Sequence, residues 1–102
     1  MDELWDERED EALDALVAER FELAFRLFLP LAMAGVAHAQ RQIGLMLDRG
    51  RGVRQDRGLA ARWFRMAADQ RDPRAEHSLA VCYLQGEGVA CDPAEAGRWF
   101  RR

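Results

Sequence analysis

The 102-residue sequence contains no lysine, asparagine or threonine and a single serine, Ser78. Only six residues are β-branched: Val17, Val36, Ile43, Val53, Val81 and Val89. A sheet protein draws on many more, whereas the abundant Ala, Leu, Arg and Glu favour helix. The absences therefore point to an all-α chain. No apolar run reaches the roughly 18 residues of a membrane-spanning helix, so no membrane partner is expected. Two cysteines, Cys82 and Cys91, are too few for a disulfide scaffold. Their nine-residue separation fits no close-spaced zinc pair, and no metal or cofactor is expected. The acidic start, Met-Asp-Glu-Leu-Trp-Asp-Glu, is unlike a signal peptide, so an unprocessed cytoplasmic chain is expected.

What is present is 17 alanines, 15 basic residues that are all arginine, and 49% apolar residues. That balance suits one globular domain rather than a disordered chain. The net charge of −3 hides an asymmetry. Residues 1–20 hold nine acidic groups against Arg8 and Arg20, a net of −7, and residues 21–102 carry +4. An acidic head sits on a basic body.

Sliding the sequence by 36 positions aligns residues 39–66 with 75–102 without a gap, and ten of the 28 pairs are identical. They include Gly50/Gly86, Gly52/Gly88, Val53/Val89, Asp56/Asp92, Ala60/Ala96, Trp63/Trp99 and Phe64/Phe100. Each unit reads as helix, loop, helix. Ala39, Ile43, Gly44 and Leu47 form one helical face, and Ala75, Leu79, Ala80 and Tyr83 repeat it. Gly-x-Gly-Val breaks the helix. Asp56, and Asp92 followed by Pro93, then cap a second helix. Upstream, two further helices are expected over about 3–18 and 20–34. Pro30 should kink the second of them or shorten its first part to about Phe28. The pattern predicts six helices in three antiparallel pairs: two full 36-residue repeats and a degenerate N-terminal pair.

The string Ala-x3-Leu-Gly/Ala-x2-Tyr-x2-Gly-x-Gly-Val-x2-Asp-x3-Ala-x2-Trp-Phe, matched from Ala75 to Phe100 and again from Ala39 to Phe64, resembles the Sel-one-like repeat. That family is a relative of the tetratricopeptide repeat. Arg71 stands where the family has a helix-ending Gly, and Leu47 where it has Tyr. The chain stops at Arg102, about three residues before the pattern's last helix would end. The resemblance covers residues 20–102 and implies an α-solenoid. The interleaved acidic and apolar residues of 1–19 read as an acidic capping helix, as a partner-binding or self-binding segment that competes for the basic groove, or as a frayed solvated end. The resemblance further implies a non-catalytic bacterial adaptor or regulator. A partner peptide or helix, acidic or amphipathic, would bind the concave face formed by the first helices. By analogy that face carries His38, Arg41, Leu45 and Arg49, then Arg74, His77, Val81 and Gln85. The two slots His38/Arg74 and Arg41/His77 each exchange His for Arg between units.

Two alternatives stand beside it. Trp99 and Phe100, with no unit after them, could form an open apolar end that drives self-assembly into a homo-oligomer. The chain could also be a non-catalytic subunit of an enzyme complex. No nucleophile–base pair or paired carboxylates outside the head support an enzyme. The glycine loops follow helices rather than strands, which excludes the dinucleotide-binding context. Aromatics at core spacings, rather than interleaved with Arg, argue against a nucleic-acid partner.

Overall fold

The computed structural model describes residues 2–102, with side chains described from residue 7 onward, so Leu4 and Trp5 of the acidic head lie outside the described side chains. Six helices follow in order: α1 (Asp2–Val17), α2 (Phe21–Met33), α3 (Ala37–Arg49), α4 (Arg57–Asp69), α5 (Pro73–Gln85) and α6 (Pro93–Phe100). No strand occurs among the described residues. Each helix packs on its neighbours in sequence, and the short connections fold it back along its predecessor. The result is two layers, α1, α3 and α5 in one and α2, α4 and α6 in the other, with extents of 39 × 28 × 19 Å.

The expected break at Phe28 does not occur: α2 runs through Pro30 to Met33. Proline costs the helix the bond to the Arg26 carbonyl. Both residues lie on the exposed side, where that carbonyl can turn to water. Phe28 and Leu31 on the other side are fully buried, and their packing holds the helix through the defect.

Aspartates start α4, α5 and α6. Oδ1 of Asp56, Asp72 and Asp92 accepts from the backbone N–H of Leu59, Ala75 and Glu95 at 3.0, 3.1 and 3.1 Å. Asp56 and Asp92 are the expected caps. Asp72 is a third cap, and Asp72-Pro73 repeats the Asp92-Pro93 pair.

The Gly-x-Gly loops have a division of labour. Gly50 and Gly86 end α3 and α5 in the left-handed region, at φ +66° and +69°. Gly52 and Gly88, also at positive φ, press on the preceding second-layer helix. A Cβ on Gly52 would collide with the Phe21 carbonyl that opens α2, and one on Gly88 with the Arg57 carbonyl that opens α4. The second glycine thus joins one repeat to the previous one. Arg71 occupies the left-handed region at φ +69°, where the preceding unit has Gly35 at +99°.

The core is one cluster threaded through all the units, rich in alanine: Ala24, Ala32, Ala39, Ala60, Ala67, Ala68, Ala75 and Ala80 are each at most 1% exposed. Small side chains let the helices approach closely. At Gly44 even a methyl is too much, because a Cβ there would lie 2.7 Å from the Phe64 ring. Phe64 is accordingly buried on Gly44 at 2% exposure.

Candidate functional site

The layer of α1, α3 and α5 presents the candidate surface. These helices end at Val17, Arg49 and Gln85, and counting back from those residues sets the levels across the face. Leu13, Leu45 and Val81 share one level, and Glu9, Arg41 and His77 the next. His38 and Arg74 lie one level further toward the N-termini of α3 and α5. Side chains at these spacings project from one side of a helix.

Two hollows open on this face, and both are lined by Leu45. One, of about 220 Å³, lies between α1 and α3, with Leu16, Val17, Gln42 and Arg49 in its wall. The other, of about 390 Å³, lies between α3 and α5, with Arg41, Pro73, Arg74, His77 and Ser78. Leu45 is thus the apolar floor between two rims, one carrying Arg49 and Arg51 with Glu19, the other Arg41 and Arg74. Val17 is 83% and Leu13 43% exposed on the α1 side. That contribution of α1 was missed in the sequence. The short α1–α2 turn takes α1 off the 36-residue register, and only the helix ends restore the alignment.

Of the eight expected face residues, Arg41, Leu45, Arg74 and His77 line one hollow together and Arg49 joins Leu45 in the other. His38, Val81 and Gln85 lie on the same helices but outside both hollows. Arg41 is not a free cation. Its Nε reaches both carboxylate oxygens of Asp72 at 3.3 Å, and its side chain is only 12% exposed. Arg41 thus already has a carboxylate partner within the chain, at the boundary between repeats. Arg49 and Arg74 are exposed and form no ion pair among the described residues. His77 is also exposed, and the Phe100 ring meets it edge-on at 5.4 Å.

The other expected contact, the pair Trp99 and Phe100, divides. Trp99 is buried at 5% exposure, with the guanidiniums of Arg65 and Arg102 over its ring at 5.3 and 4.6 Å. Those cations close what was expected to be an open Trp99. Phe100 remains 46% exposed, unlike its buried equivalent Phe64. Near it, the buried Glu76 takes the slot of Gln40. Gln40 accepts from Gln70 at 2.9 Å, whereas Glu76 pairs with Arg102 at 3.3 Å.

Neither cysteine joins a site. Cys82 is buried, and burial, with the Asp48 and Glu87 carboxylates, pushes its thiol up from 9.0 to about 11. Cys91 is exposed and donates weakly to the Leu84 carbonyl at 3.4 Å. Among the described residues no group of three His, Cys, Asp or Glu could hold a metal ion, and no helix is long and apolar enough to cross a membrane.

The comparisons with known proteins agree with this architecture. The chain superposes on the crystal structure of a Sel1 repeat protein from Oxalobacter formigenes with a TM-score of 0.85 and 32% sequence identity. The match covers 90% of this chain and 38% of that one. A protective antigen of uropathogenic Escherichia coli strains, displaying an SLR fold, matches with a TM-score of 0.78 and 31% identity, over 78% of this chain and 17% of that one. The chain thus spans well under half the length of either. No curated protein matches it. The Sel1 repeat, a helical scaffold that generally mediates protein–protein interaction, matches residues 37–72 and 73–102. On that match over more than half of its length, and on its two-layer stack of helix pairs, the chain belongs to the Sel1 repeat family.

Proposed function

We propose that the face of α1, α3 and α5 is the docking surface of a non-catalytic adaptor or regulator. The ligand would be an acidic or amphipathic segment of a protein. The observation that carries this reading is the pair of hollows sharing Leu45, with Arg49 at one rim and Arg74 at the other, neither in an ion pair among the described residues. An amphipathic helix or extended peptide could place apolar side chains over Leu45 and carboxylates against the guanidiniums. The relatives of known structure come from bacteria, which supports a bacterial adaptor; its place in the cytoplasm is part of the proposal. In this reading residues 20–102 are the recognition array, and α1 caps it through Ala12 and Ala15, both buried against the core.

The test is affinity capture from the native cell lysate with the wild type and with an Arg49→Glu/Arg74→Glu double variant. Both arginines are exposed and form no ion pair among the described residues, so helicity by circular dichroism should not change. Loss of the captured protein supports the docking face; equal capture by both chains rejects it.

A further inference from the structure

The charge asymmetry of the sequence lies across the same face. α1 belongs to the segment of net −7; Glu7 and Asp10 on it are exposed and Glu9 is half-buried, while Glu11 and Asp14 line a separate hollow with Leu23 and Leu27 of α2. The opposite edge, α5, carries Arg74 and His77, both exposed. Leu45 lies on α3 between the two edges. The face is thus bipolar, with an acidic edge, an apolar centre and a basic edge.

The levels set by the helix ends make such a face self-complementary. α1, α3 and α5 run the same way, so a two-fold axis parallel to them through Leu45 exchanges the edges and preserves the levels. It sets Leu45 against its own copy, Leu13 against Val81, and Glu9 and Asp10 against His77 and Ser78, with Arg74 one turn away. A symmetric dimer uses each contact twice, so every complementary pair counts double. Neither Asp10 nor Arg74 forms an ion pair among the described residues, so no existing pair is broken in bringing them together. The exposed Leu13 and Val17 would leave water in the same step.

We infer that the occupant of this groove, in the absence of another partner, is the acidic α1 edge of a second copy of the chain. The inference rests on the reading of this face as a recognition surface, and adds that the chain shields the face by pairing with itself. An acidic partner segment would then bind in competition with dimerisation.

Sedimentation velocity on the full chain tests it. The expected result is a monomer–dimer equilibrium that weakens about tenfold or more between roughly 0.05 and 0.5 M salt, because exposed charges are screened. Arg74→Glu should abolish the dimer, as should Glu9→Arg combined with Asp10→Arg, since each puts like charges opposite one another twice. Mixing these two variants should restore a dimer, now a heterodimer, because every reversed edge then meets its complement. That rescue also shows that both variants are folded. A monomer at every concentration overturns the inference. So does a dimer indifferent to both reversals, which would place the contact elsewhere, for example on Phe100. A monomer that still captures a partner through Arg49 and Arg74 sinks self-pairing alone and leaves the docking face standing.

Discussion

Arg41 and Asp72 meet at 3.3 Å across the junction of two repeats, and the same carboxylate caps α5 through the Ala75 N–H at 3.1 Å. Both side chains are nearly enclosed, at 12% and 8% exposure. Asp72 therefore holds the start of one helix and ties it to the previous first-layer helix. The cap of α6, Asp92, is exposed and forms no ion pair among the described residues. Asp72→Ala removes a cap and leaves a nearly enclosed guanidinium without its carboxylate, so it should cost about 3 kcal/mol, against about 1 kcal/mol for Asp92→Ala. Urea unfolding with unchanged m-values measures both. Equal losses would show that the ion pair adds nothing. Arg41→Glu would also set two carboxylates together, so it reads stability rather than partner binding.

The second loop glycines make a separate prediction. At Gly88 an alanine must adopt a left-handed φ and press its methyl on the Arg57 carbonyl. The two effects together should cost about 3 kcal/mol. Gly86→Ala meets Cys91 no closer than 3.3 Å, at its Cβ, so the left-handed φ is the main penalty and the change should cost about 1 to 2 kcal/mol. Thermal unfolding of the two variants gives the ranking. A Gly86→Ala chain less stable than Gly88→Ala would refute the joining role of the second glycine.

The repeat period, the helix count and the caps Asp56 and Asp92 were legible in the sequence because each rests on local chemistry repeated twice. Tertiary context decided the rest. Pro30 is tolerated because the burial of Phe28 and Leu31 outweighs one lost bond. Arg41 looked like a free cation on an inward face. Its partner Asp72 lies 31 residues away, at the start of the next unit, so no local pattern joins them. Trp99 looked open because its covering groups, Arg65 and Arg102, are cations rather than apolar residues. The share of α1 in the face was hidden because α1 departs from the 36-residue register.

Arg71 offers a stabilising change. It sits at φ +69°, a conformation that costs a side-chain-bearing residue about 1 to 2 kcal/mol. Arg71→Gly removes that strain and gives back part of it as unfolded-state entropy. The net gain should be about 0.5 to 1 kcal/mol, or a Tm about 3 to 6 °C higher for a domain of this size. Arg71 forms no ion pair among the described residues, so no ion pair is lost. A lower Tm would show that the side chain contributes packing that outweighs its backbone strain.

The two thiols should behave oppositely. Cys91 is exposed, whereas Cys82 is buried with its thiol pushed up to about 11. Only the thiolate attacks a disulfide reagent, so near pH 8 the native chain should react at one equivalent, from Cys91. Cys91→Ser should abolish that reaction, and denaturant should release the second equivalent. The raised value also sets a sign for stability. Between 9.0 and about 11 the unfolded chain ionises Cys82 while the native chain keeps it protonated, so the native state binds more protons there. This contribution is fully present below the unfolded value and is lost as pH rises through the folded one. Stability should therefore fall across that window, and the fall should be shallower in Cys82→Ala. An unchanged slope would assign the alkaline loss to other groups and show that the buried thiol does not drive it.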